Sequence, residues 1–403
     1  MTVRLRPGVL FHDGSAADAS AIAAVLNEQL ASNLKPLADD IDTIAAAGDR
    51  DVAITLRVPS AFMPEALMDV PIIKTGTQQV GTGAFMLKQA ASNDRPTEVT
   101  SFDRYYLGRP EIKGIEITTY SNIRAAWAEM LRDRLDMLYE VGADALETMR
   151  SATNVSVYTF DRPYQYILLL NHRNPKIASA ALRQALNSAI DRDAVVKNGL
   201  GGHGTPSAGP VSPHHWAYKS IGTTFTYAPK EAAAKIGKPI VLKCLTLAEP
   251  PFEQLAFTVK QQLKTIGVDL EMQELAGEQI SATFANGNFE AILIDAASGW
   301  SLLRAYVWWH SASPRNVTKF ASAKVDAALD RIRHAANDDE YRLGVEAFQQ
   351  AVDADPPAVF LAWGDRSRAV TRNFNVQPEP GRDVLATLRL WRPSADYRKA
   401  TTN

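Results

Sequence analysis

A single cysteine, Cys244, stands in a chain of 403 residues. One thiol cannot form an intrachain disulfide, a CxxC redox pair or a thiolate zinc site. Cys244 lies in IVLKCLTL, a run with strand character, where a thiol reads as a small buried hydrophobe rather than a nucleophile. Long apolar runs are missing too. Nothing approaches the about 20 residues that cross a bilayer, and the start of the chain shows no charged region followed by an apolar core. Charge of one sign is also absent: 43 Lys and Arg stand against 45 Asp and Glu, a net charge of −2. No basic cluster supplies a footprint for nucleic acid, so none is expected as a partner. The G-x-S-x-G elbow, H-E-x-x-H and S-x-x-K with its companion motifs do not occur. No catalytic residue is assigned, no enzyme activity is expected, and no cofactor is implied.

What remains is an ordinary globular composition, 46% apolar and 22% charged, in a chain long enough for two or three domains. Residues 3–11 alternate as a strand, His12-Asp13-Gly14 reads as a turn, and an Ala-rich helix follows with Asp18 or Ser20 near its first turn. Strands are expected at 53–58, 85–87, 98–100 and 115–118, and a helix over 123–134. Tyr166 to Asn171 is an unbroken apolar run closed by a polar residue, as in a strand buried on both faces. After a helix at 178–190 and a Gly/Pro/Ser-rich loop at 199–213 comes strand 240–247, helix 253–266 and strand 268–273. Strand 291–294, helices 324–335 and 340–354, strand 358–363 and a last strand near 385–391 complete an α/β chain.

Five stretches occur in a fixed order: LRPGVLFHDG from Leu5, GTGAF from Gly81, NHRNPKIASAALRQALNSAIDRDAVV from Asn171, GHGTPSAGPVSPHHWAY from Gly202 and FTYAPKEAAAKI from Phe225. Together they resemble the family 5 solute-binding proteins, the dipeptide, oligopeptide and nickel receptors of bacterial ABC importers. The resemblance covers essentially the whole chain. Relatives carry a leader and several tens of residues before the first stretch, so the expectation is a chain lacking its leader and the first part of domain I. Relatives also place a Gly between the helix near 123–134 and the next strand, where this chain has Asp133-Arg134.

The loop glycines Gly199, Gly201, Gly202 and Gly204 follow a helix and run into prolines without Lys-Ser or Lys-Thr, which does not fit a phosphate cradle. His214-His215 and Trp308-Trp309-His310 invite a metal reading. Adjacent side chains diverge, however, and no metal ligand is assigned. Asp191 reads as a helix cap. In the peptide-binding branch a Gly-Trp like Gly299-Trp300 is followed three positions later by an aspartate that clamps the ligand's ammonium. Here that position is Leu303. A buried ammonium without a carboxylate is too costly for useful affinity, which argues against ordinary free peptides. Asp295 could replace the clamp only by a slip in register. Arg304 offers a fork for a carboxylate or phosphate, or else lies solvated on the surface. Trp300 reads equally as pocket or core, and Asn316 falls where relatives place a polar contact. The candidate ligand-binding residues are Tyr166, Asn171, Trp300, Arg304 and Asn316.

The resemblance implies a two-lobed α/β periplasmic-binding-protein fold of the Venus-flytrap type (type II-like), with mixed sheets and an interlobe hinge. Hinge strands are expected near 166–171 and 374–380. Residues 1–75 are expected as the remnant of a small subdomain of lobe I, 76–165 with 375–403 as lobe I, and 166–374 as lobe II. The implied function is capture of a small or peptide-like ligand by a monomer, in the periplasm or on the cell surface, for delivery to ABC permease subunits. Two alternatives stay open: a cytoplasmic sensor of the kind fused to helix-turn-helix regulators, and a truncated, nonfunctional remnant.

Overall fold

The computed structural model describes residues 1–403 except 34, 78, 93–94, 121, 222–224, 299–300, 396 and 398–403. By contacts the chain divides into two units, Met1–Val141 with Thr148–Phe160 and Ser367–Asn403, and Gly142–Glu147 with Asp161–Arg366. The strand Val155–Leu170 carries the chain into the second unit, and Ala358–Thr371 carries it back. The return therefore lies upstream of residues 374–380. There the chain forms only the short strand Phe374–Asn375, and Pro378 and Pro380 withhold ladder donors.

In the first unit Thr2–Arg4 pairs antiparallel with Asp51–Leu56, whose other edge takes Ile41–Ala46. The opening strand thus finds its partner downstream. Ile41–Ala46 escapes a sequence reading because only Ile41 and Ile44 are buried, a spacing of three produced by a register shift between Ile41 and Thr43. Helix Ala19–Asn33 packs on this sheet, burying Ile22, Val25, Leu26 and Leu30, and Asp18 caps it by accepting from the Ala21 N–H at 2.9 Å. A second antiparallel sheet is built from Phe85–Gln89, Thr97–Ser101 and Gly114–Ile117.

Helix Ile123–Leu131 stops at Asp133, which adopts φ +57° and accepts from Asn154 Nδ2 at 2.7 Å. Asp is among the few residues that tolerate this left-handed conformation, so it closes the turn where the resemblance implies a glycine. The expected strand at 385–391 is instead the 3₁₀ helix Val384–Leu390. Asp383 caps it through the Leu385 N–H (3.0 Å), and the Thr387 hydroxyl bonds back to the Val384 carbonyl (2.9 Å).

The second unit is organised by a mixed sheet. Ile240–Leu247 lies parallel to both Val268–Leu275 and Ala291–Ala297, and the latter runs antiparallel to Val155–Leu170. Ile167 to Leu170 are fully buried, as an apolar run without alternation requires. Helix Pro250–Lys264 links the first two parallel strands and buries Leu255, Val259 and Leu263 in the same core as Leu168, Leu170 and Cys244. Helices Ala323–Arg333 and Asp338–Ala354 form a hairpin. They pack tightly at Gly344, where a Cβ would stand 2.8 Å from Ile332 Cγ1 and 3.0 Å from the Ile332 nitrogen.

Candidate ligand site at the strand ends of the second unit

The motifs that carry the resemblance mostly hold backbone in place. His12 Nδ1 accepts from the Gly81 N–H at 3.2 Å while Nε2 donates to the Gly83 carbonyl at 3.1 Å, so a neutral imidazole ties FHDG to GTGAF. Asp13 accepts from the Ser15 amide (2.9 Å), the Ser15 hydroxyl (2.7 Å) and Lys74 Nζ (2.5 Å), and these bonds hold its carboxyl well below the usual range. In the second unit Arg183 donates to the Ile177 (2.7 Å), Ala178 (2.6 Å) and Pro356 (2.9 Å) carbonyls and to Asp355. Asn187 bridges the Ala358 carbonyl (2.9 Å) and the Phe360 N–H (3.1 Å). Arg192 reaches the Ser207 (2.7 Å), Phe360 (3.0 Å) and Phe225 (3.1 Å) carbonyls, and its burial lowers its pKa to about 10. Asp191 caps the next turn through the Ala194 N–H at 2.9 Å.

A polar cluster of a different kind stands where Ala291–Ala297 ends. In register, Asp295 faces Tyr166 and Ala296 faces Gln165. Arg366, the last residue of the second unit before the chain crosses, donates to Asp295 and holds its guanidinium 5.9 Å above the Tyr166 ring. Gly364 makes room for that ring: a Cβ there would lie 2.5 Å from Tyr166 Cε2. Gln165 is buried and donates to Ser207 Oγ (2.5 Å) and the Gly209 carbonyl (2.7 Å), while Ser298 Oγ lies 3.4 Å from its Oε1. Trp363 Nε1 is buried without a hydrogen-bond partner among the described residues. Parallel α/β sheets hold ligands outside the carboxyl ends of their strands, the end at which these groups gather. They combine a carboxylate, a guanidinium, an amide and aromatic surface, which suits polar recognition.

The sequence-derived candidates divide on placement. Tyr166 is 4% exposed, packs edge-on against Phe252 and belongs to this cluster. Asn171 is buried at the far end of the same strand, where its amide donates to the Gly287 (3.0 Å) and Phe289 (2.7 Å) carbonyls. Asn316 is also buried, donating to the Phe320 carbonyl (2.7 Å) and accepting from Thr318 Oγ1 (2.9 Å). Both asparagines clamp turns, a use that residue type alone does not reveal. Trp300 lies outside the described residues. Arg304 is half-buried in the first turn of helix Leu302–Trp309, which Ser301 caps through the Leu303 N–H at 3.0 Å. Leu303 is only 1% exposed and packs inward. Gln165 and Arg366 were missed because neither stands in a recognisable motif. Only the pairing of strands distant in sequence brings them to Asp295.

The histidine pairs do not converge on an ion. His310 stacks on Tyr306 at 4.3 Å and His215 on Tyr341 at 5.9 Å, and no three His, Cys, Asp or Glu side chains among the described residues gather with metal-binding geometry. Cys244 is fully buried, with its thiol pushed up to about 12 by that burial.

Comparison with known proteins matches this architecture to transport receptors. The oligopeptide-binding protein AppA of Bacillus subtilis is 23% identical over 441 residues, covering 96% of this chain and 80% of AppA. The glutathione-binding protein GsiB of Pectobacterium atrosepticum is 27% identical over 402 residues, covering 90% of this chain and 76% of GsiB. The structure of Bacillus subtilis AppA in complex with a nonapeptide superposes with a TM-score of 0.84 at 20% identity, covering 98% of this chain and 87% of AppA. NikZ from Campylobacter jejuni in complex with Ni(L-His) superposes at 0.85 and 19% identity, covering 97% and 87% of the two chains. The fold is therefore that of the two-lobed periplasmic binding proteins. The sequence profile of the bacterial extracellular solute-binding proteins, family 5 Middle, matches residues 1–317, and the chain belongs to that family.

Proposed function

We propose that this protein is the receptor of an ABC importer of the peptide and nickel class, acting outside the cytoplasmic membrane as a monomer and without nucleic acid. Its ligand is a small polar or peptide-like molecule without a free α-ammonium group. One observation carries the ligand class. At the position where the resemblance to the peptide-binding branch implies an ammonium clamp, Leu303 is buried, and the carboxylate of Asp295, the one substitute that the sequence offers, is already engaged by Arg366. An ammonium placed here would have to break that ion pair or remain uncompensated, and either costs several kcal/mol, about the difference between a micromolar and a millimolar ligand. Contacts fall to the Asp295–Arg366 pair, Arg304 and Trp300. The buried Trp363 Nε1 adds a donor for a ligand acceptor.

The test is a thermal-shift series on the purified chain, since a ligand bound only by the folded state raises Tm. N-acetylated dipeptides and small carboxylates should raise it. The matching free dipeptides and glutathione should do so only at concentrations at least about a hundredfold higher. Equal shifts for free and acetylated peptides would overturn the assignment. Trp300→Ala should weaken the responding ligand while leaving the unliganded Tm unchanged, and an unchanged affinity would remove Trp300 from the site.

A further inference from the structure

We infer that the first unit carries its own anion site, formed wholly by its residues and independent of the ligand site in the second unit. A cavity of about 520 Å³ is lined by His12, Met86, Phe102, Arg104, Arg109 and Lys113, together with Thr100, Ser101 and Asp103. That volume lies within the range of about 300–1,000 Å³ that holds small organic ligands. Its walls carry three permanent cations against one carboxylate. The carboxylate, Asp103, pairs with Arg109 at 2.9 Å. Arg104 and Lys113 have no ion-pair partner among the described residues, and both are exposed to the cavity mouth.

Arg104 packs against two groups of the same unit. Its guanidinium stacks 6.0 Å from the Phe102 ring and lies so near Gly14 that a Cβ there would come within 2.2 Å of Nη2. Gly14 also holds φ +87°, a conformation glycine adopts without strain. The Arg104 fork thus lies against the FHDG turn, and His12, bonded to Gly81 and Gly83, fixes the adjoining wall. A planar fork beside an ammonium, over a floor of Met86 and Phe102, selects an oxyanion attached to a compact apolar body. The ligand class is a small organic phosphate or carboxylate.

Isothermal titration with phenyl phosphate and with phenylacetate tests this. Saturable heat with a dissociation constant below about 1 mM is expected for at least one of them, and the tighter one identifies the head group. Arg104→Gln and Lys113→Gln should each weaken it at least about tenfold at unchanged Tm. Asp103→Asn, which releases Arg109, should tighten it several-fold. Absence of saturable heat from both compounds up to about 10 mM, or affinities unmoved by both substitutions, would overturn the site.

Discussion

Two arginines of the second unit show how one residue type serves two ends. Arg192 is a buried cation satisfied by carbonyls rather than by a carboxylate. Its guanidinium organises three separate segments, ending at Ser207, Phe225 and Phe360. Replacing it with the similarly sized, apolar Met leaves those carbonyls buried without a donor, which costs about 1–3 kcal/mol per group before relaxation. Arg192→Met should therefore lower the unfolding free energy by about 2–4 kcal/mol in urea, and a loss under about 0.5 kcal/mol would mean other donors replace it. Arg366 is the contrasting case. It is paired with the Asp295 carboxylate beside the Tyr166 ring, at the end of strand Ala291–Ala297. Nothing in the local spelling, IDRDA around Arg192 or GDRSR around Arg366, separates the two roles. The distinction depends on what each guanidinium meets after folding.

Among the elements, helices Ala323–Arg333 and Asp338–Ala354 illustrate local preference overruled by packing. Intrinsic propensity favours Ala over Gly inside a helix by about 1 kcal/mol. At Gly344, however, the new methyl would press on the backbone nitrogen of Ile332 at 3.0 Å, and backbone cannot swing aside as a side chain can. Overpacking of this kind costs about 1–3 kcal/mol, so Gly344→Ala should destabilise by about 1–2 kcal/mol; a gain in stability would show that the hairpin opens freely. Helical periodicity placed these helices within a few residues because each buries one face, and runs of strand-forming residues placed Ile240–Leu247 and Val268–Leu275. It failed at Ile41–Ala46, where a register shift breaks the alternation, and at Val384–Leu390, where side-chain bonds from Asp383 and Thr387 favour a 3₁₀ turn over an extended run.

For the whole molecule, acidification is the informative perturbation. His172 Nε2 donates to the Pro357 carbonyl at 3.0 Å, and burial lowers its pKa from 6.5 to about 4; burial likewise lowers His215 to about 4. The unfolded chain takes up these protons below about pH 6.5 and the folded chain only near pH 4, so stability falls as pH drops through that window. Asp353, half-buried with its pKa raised to about 6, acts in the opposite sense, its contribution being lost as pH rises from 3.8 to 6. The two histidines outweigh it. For His172 the loss amounts to about 2–3 kcal/mol between pH 7 and 4, and His172→Gln should flatten that part of the stability curve. Equal pH profiles for wild type and variant would assign the acid sensitivity elsewhere. Stability should also differ along the chain. Residues 1–117 form two sheets of only three strands each, against the larger mixed sheet that organises the second unit, so hydrogen exchange should be faster in 1–165 than in 166–374, and uniform protection would contradict this.

The sequence by itself determined the α/β class, the five ordered stretches that point to the family, and the buried central strand, because these rest on local pattern and on residue order along one chain. It also determined the absence of an aspartate at Leu303. What Leu303, Asp295, Asn171 and Asn316 do was decided only by tertiary structure. Burial, strand pairing and the partners claimed by each polar group are set by residues up to hundreds of positions apart, and no local pattern records them.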